Sequence, residues 1–247
     1  MATEYGLWCR DFYINQKISL KLDLPAGREP VLELFDRIRR QEPLLRHLRR
    51  FEQELVLESD DRERTFSWVT MRPTSLRSGM VNPATLDEAY RLHRMVLELA
   101  PYYLSISPLD LEHVELVFCF DFETDGNRDQ IIWDALLADS PLAALVDPQQ
   151  DRPIDVQPFM GLALNASNDL QAFFEVKSRS RAQEFAGTRL GEDPISVYLT
   201  VRKQGPLSAI SELPAIFAAL CGHAERLAED RLIPHVLKPI RDAITTA

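Results

Sequence analysis

Between Val114 and Phe122 every second residue is apolar: Val114, Leu116, Phe118, Phe120 and Phe122 fall on one side of an extended chain. A period of two belongs to a pleated strand, whose successive side chains point to opposite faces. Val117 and Cys119 make the centre of this segment apolar on its other side too. Such a strand suits the interior of a sheet rather than its margin. Two further segments alternate in the same way. Ile14, Ile18, Leu20, Leu22 and Leu24 alternate with Asn15, Lys17, Ser19, Lys21 and Asp23, and Gln16 is the polar exception on the apolar side. Ile195, Val197, Leu199 and Val201 alternate with Ser196, Tyr198, Thr200 and Arg202. These segments dictate antiparallel sheet with one oily and one wet face.

Helices are read between the strands from a spacing of three and four. Pro30 to Arg40 places Val31, Leu34, Phe35 and Ile38 on one side. Ala84 to Leu99 carries the stripe Leu86, Ala89, Tyr90, His93, Val96 and Leu97. A strand over Phe51–Leu57, a turn at Ser59-Asp60-Asp61 and a return strand over Arg64–Arg72 fill the interval. Residues 11–124 thus spell strand, helix, strand, strand, helix, strand, the order of a ferredoxin-like βαββαβ unit. After the turn Thr124-Asp125-Gly126-Asn127 come a helix over Arg128–Leu137, strands over 154–164, 170–177 and 195–202, and helices over 210–232 and 235–244. The reading is an α+β protein in two antiparallel-sheet halves, residues 1–126 and 127–247, each with helices on one face. The shared vocabulary leaves a diverged duplication open, without a residue-level repeat.

Composition narrows the address. The 28 Lys plus Arg against 38 Asp plus Glu give a formal charge of −10, which argues against broad attraction to nucleic acid or anionic lipid. Cys9, Cys119 and Cys221 are odd in number and far apart, with no C-x-x-C pair, so neither a zinc site nor a disulfide framework is expected. Cys119 reads as a buried thiol. No run of 18 apolar residues and no signal-peptide core is visible. A cytoplasmic protein without a membrane partner is the expectation.

Chemistry-bearing motifs are sparse. Asp121, Glu123 and Asp125 stand on alternate residues before Gly126, a spacing that calcium loops use because alternate side chains converge while glycine allows a sharp turn. The twelfth position of such a loop is Ile132 where a bidentate Glu is needed, so a wet strand end followed by an Asp-Gly turn is the simpler reading, and no metal is assigned. His223-Ala-Glu225 lacks the P-C-x-x-C partner of a zinc deaminase. No G-x-S-x-G elbow, G-x-x-x-x-G-K-[ST] loop or G-x-G-x-x-G turn occurs. No cofactor is expected.

Arginine is the default cation here, 23 against 5 lysines. Arg39, Arg40, Arg46, Arg49 and Arg50 lie close together, a candidate partner-binding surface, although Glu29, Glu33, Asp36 and Glu42 are interspersed. Arg179, Arg181 and Arg189 fall in the long polar connector Ser178–Pro194, where guanidinium groups suit an anion. The leading expectation is a non-enzymatic protein-binding or scaffold module, with a protein partner or self-association. The alternative is a small-anion sensor or enzyme with a cleft between the halves.

Overall fold

The segment around Phe118 lies at the centre of the molecule. The computed structural model describes residues 4–25, 27–60, 64–147, 149–179 and 193–246. In it this segment is β6 (Leu111–Phe122), flanked on one side by β1 (Asp11–Leu20) and on the other by β9 (Ile195–Gln204), both antiparallel. Phe118 faces Ile14 across one ladder and Leu199 across the other, and all three are fully buried. The even residues of β1 and β6 and the odd residues of β9 therefore make one continuous oily surface.

The expectation of two sheets is corrected here. The described strands form a single nine-stranded antiparallel sheet, in the order β2-β3-β4-β5-β1-β6-β9-β8-β7. The remaining strands are β2 (His47–Arg50), β3 (Leu55–Glu58), β4 (Phe66–Arg72), β5 (Ser75–Val81), β7 (Phe159–Ala163) and β8 (Leu170–Lys177). One sheet forms because β6 is apolar on both sides at its centre: each of its edges buries more surface by pairing than by ending a sheet.

Helices cover the oily surface. They are α1 (Arg28–Gln41), α2 (Leu86–Tyr103), α3 (Arg128–Leu136), α4 (Leu213–Leu227) and α5 (Lys238–Thr246). The Thr85 hydroxyl caps α2 by accepting from the Glu88 amide, and the Asn127 side chain caps α3 by accepting from the amides of Asp129 and Gln130. Helix α2 packs on β1 and β5, α4 packs on β6 and β9, and the two helices meet where Tyr90 and Phe217 lie edge to face at 5.9 Å. Pro234 was expected to interrupt the C-terminal helix. Instead Ala228–Leu237 runs as π-helix between α4 and α5. The wider turn moves the preceding carbonyls away from the proline ring and asks for no i−4 donor there.

Two strands differ from the expectation. The stretch read as a strand from Phe51 is a turn, Phe51-Glu52-Gln53-Glu54, closed by the Phe51 amide on the Glu54 carbonyl. It joins β2 to β3. The strand paired to β1 on its outer side is β5, Ser-Leu-Arg-Ser-Gly-Met-Val, which has no clean alternation. Its Ser78 is fully buried and bonds Gln16 Oε1 (3.1 Å) and His93 Nδ1 (2.8 Å). A hydroxyl donates once, so the satisfying arrangement is His93 Nδ1–H to Ser78 Oγ and Ser78 O–H to Gln16. The polar exception on β1, Gln16, thus belongs to a buried chain that joins β1, β5 and α2.

Candidate functional site

Two surfaces have the makings of a site, one on each side of the sheet. The first lies at the β2 margin on the helix side. Register places Leu48, Arg50 and Leu55 on that side, while His47 and Arg49 project to the other. A groove of about 720 Å³ runs between the N-terminal half of α1 and the β2–β3 hairpin. Its floor is apolar: Leu24, Val31, Leu32, Leu48, Leu55 and Met71. Leu48 and Phe51 are about half exposed, at 48% and 54%. Arg28, Arg50, Asp23 and Glu52 form the rim. Among the described residues Arg28 and Arg50 make no ion pair. Beside the groove β2 ends the sheet, so among the described residues the outward row of its backbone groups faces no strand.

The structure divides the arginine cluster anticipated in this region. Arg39 and Arg40 both hold Asp36 on α1, at 2.7 and 2.6 Å, and Arg46 donates to the Pro43 carbonyl at 3.0 Å. The Asp36 carboxyl is accordingly held below its usual range, chiefly by the Arg39 hydrogen bond. Arg49 pairs with Glu58 at 2.7 Å. Of the five, Arg49 and Arg50 alone line the groove.

The second surface is the polar face of the sheet. At one end Asp121 accepts from the Ser196 hydroxyl at 2.6 Å and from Tyr13 at 3.4 Å, while Arg179 donates to the Tyr198 hydroxyl at 2.5 Å. Burial raises the Asp121 carboxyl, and Ser196 and the Arg179 charge offset part of that. Cys119, between Tyr13 and Tyr198 across the strands, is fully buried and pushed well up by the loss of solvent, an inert thiol. Glu123 turns outward to pair with Arg10, and Asp125 is exposed in the turn before the α3 cap. Among the described residues no three His, Cys, Asp or Glu side chains gather in a way that could hold a metal. Arg181 and Arg189 lie outside the described residues.

At the other end a row crosses five strands: Thr70, Arg77, Lys17, Glu115 and Arg202. Glu115 Oε2 accepts from both Arg202 Nε (2.9 Å) and Nη2 (2.7 Å), and His113 Nε2 stands 3.5 Å from it. Burial lowers the Lys17 ammonium from its ordinary value; Glu115 opposes that, and Arg77 and Arg202 add to it. None of Lys17, Arg77 and Trp68 was singled out from sequence as a site residue. The available signal was that Lys17 stands on the wet side of an otherwise regular strand. Its neighbours come from strands far apart in the chain and carry no motif.

Among the described residues no helix is long and apolar enough to cross a membrane. Comparison with known proteins found no family model that matches the chain and no curated protein that resembles it.

Proposed function

We propose that this is a non-enzymatic, cytoplasmic protein-binding module, which takes an extended segment of a partner protein along β2. The observation that carries this reading is the coincidence of a strand margin, unpaired among the described residues, with an apolar groove beside it. Strand addition supplies main-chain hydrogen bonds of low selectivity, and alternate side chains dropping into a neighbouring groove supply the choice of sequence. Leu48 and Phe51 offer the apolar anchors, and the uncommitted Arg28 and Arg50 favour acidic residues beside them. The partner segment would read apolar and acidic in alternation.

The finer fold reading belongs to the same proposal. In sheet order, β4-β5-β1-β6 with α1 and α2 on one side is a ferredoxin-like arrangement into which the β2–β3 hairpin is inserted. The order β1, α1, four strands, α2 is echoed by β6, α3, three described strands, α4, since β3-β4-β5 folds back on β1 as β7-β8-β9 folds back on β6. This supports a diverged duplication about the β1–β6 seam, with its boundary before Leu111 instead of near residue 126. Among the described residues the hairpin strand β2 has no counterpart in the second unit. That is where an acquired docking function would sit.

The test is quantitative capture of partners from a lysate by the wild-type chain and by the Leu48→Asp/Phe51→Asp variant. Both changes fall on exposed side chains, so the melting temperature should stay within about 2 °C. A partner held by the groove should bind the variant at least about 30-fold more weakly, the ordinary effect of losing apolar anchors. Equal recovery of every partner by the folded variant would remove the groove from the interaction.

A further inference from the structure

The polar face of the sheet carries a second site, on the opposite side from the groove and independent of it. Lys17 and Arg77 face each other across the β1–β5 ladder. Among the described residues neither has a carboxylate within ion-pair distance, and Arg77 Nε is buried without a hydrogen-bond partner. The nearby acids are engaged. Glu115 takes Arg202, Glu112 accepts from Ser19 Oγ at 3.0 Å, and Glu54 takes Arg72 at 3.1 Å. Buried donors almost always find an acceptor, and one left open beside a second cation marks a place for an anion.

One row further along the strands lies a flat aromatic ledge. The Trp68 indole rests directly over Gly79: a Cβ at that glycine would fall 2.4 Å from ring carbons Cε2 and Cζ2 and 2.5 Å from Asn15 Oδ1. Only the missing side chain lets the ring lie down. Trp68 and Asn15 are both half-exposed. Adjacent rows on one face of a strand are about 6.8 Å apart, which is about the reach from a nucleobase to the phosphate of a nucleoside monophosphate.

We propose that this face binds a small nucleotide, its phosphate against Lys17 and Arg77 and its base stacked on Trp68 with Asn15 at the edge. An ammonium beside a guanidinium fork suits the double charge of a phosphate better than a single carboxylate. The chain's net charge of −10 opposes a long polyanion, so the ligand is a free nucleotide rather than a nucleic-acid strand.

Isothermal titration calorimetry with AMP, ribose 5-phosphate and a single-stranded oligonucleotide tests the assignment. AMP should bind in the micromolar range. Lys17→Met/Arg77→Met should weaken AMP by about 30-fold or more, the loss expected for two charge-assisted contacts. Trp68→Leu should weaken AMP by about 10-fold and leave ribose 5-phosphate unchanged, since only the stacked base is lost. If the double variant melts early, Arg77→Lys reads the same contact with the charge kept, and should lose several-fold. The assignment falls if AMP gives no heat at about 1 mM, or if the variants bind it as the wild type does. It also falls if the oligonucleotide binds more than about 100-fold tighter than AMP.

Discussion

Replacing Phe118 by alanine is expected to remove about 3–5 kcal/mol of folding stability, the usual result of hollowing a core at an aromatic position. Phe118 is fully buried at the middle of β6. Its ring lies 5.6 Å from Phe12, edge to face, and 5.7 Å from Tyr5, with Ile14 and Leu199 beside it on the flanking strands. Central strands have no solvent to relax into, so the cavity stays. Against a total stability of about 5–15 kcal/mol for a typical domain, this change alone brings the protein near its threshold. Urea denaturation monitored by circular dichroism gives the number. Phe159→Ala, on a side chain 64% exposed on the last strand, should change stability by no more than about 0.5 kcal/mol. A loss below about 1 kcal/mol for Phe118→Ala would mean that β6 is not the centre of the core.

Acidification should cost stability through His93. The ring is fully buried, and burial lowers its pKa to about 3 from an ordinary 6.5; the Ile14 carbonyl, which favours the charged ring, offsets little of this. Above pH 6.5 the residue is neutral in the folded and unfolded chain, and its contribution is fully present. Below that the unfolded chain takes up a proton that the fold refuses, and stability falls by up to about 1.4 kcal/mol per pH unit. The fall continues until the folded ring itself protonates, near pH 3. By pH 4.5 about 2–3 kcal/mol should be gone. The reason is local: with Nδ1 given to Ser78, Nε2 is buried and makes no hydrogen bond, so a charged ring would be stranded in the core. His93→Met keeps most of the volume and has nothing to titrate. Its stability difference between pH 7 and pH 4.5 should be smaller than the wild type's by about 2–3 kcal/mol. An unchanged difference would show that the ring reaches solvent.

The same histidine shows why part of the fold was legible and part was not. β1, β6, β8 and β9 announce themselves because hydrophobic burial is local in sequence: alternate residues meet the same side of the sheet. α2 is plain for the same reason, and the one polar member of its stripe, His93, was rightly placed on the inward face. β5 was missed because its burial is satisfied by partners elsewhere. Ser78 is tolerable inside only because Gln16 and His93 stand opposite, and Gly79 reads as a break until Trp68 is seen lying over it. The merging of two expected sheets into one is a matter of strand edges, whose backbone groups are alike in every residue and leave no side-chain signature. For the candidate sites, sequence density gathered arginines that the structure separates: Arg39 and Arg40 spend themselves on Asp36. It overlooked Lys17 and Arg77, which are brought together only by pairing.

The sheet also has two unlike margins. β2 carries His47, Arg49 and Arg50, whereas β7 exposes Phe159 and Met160. Margins that differ join tail to head, and such a contact does not close on itself: each added copy presents the same free end again. Contact between β2 of one copy and β7 of the next would therefore build a growing ribbon, not a closed dimer. The four-residue length of β2 acts as the brake, offering few backbone partners to an arriving strand.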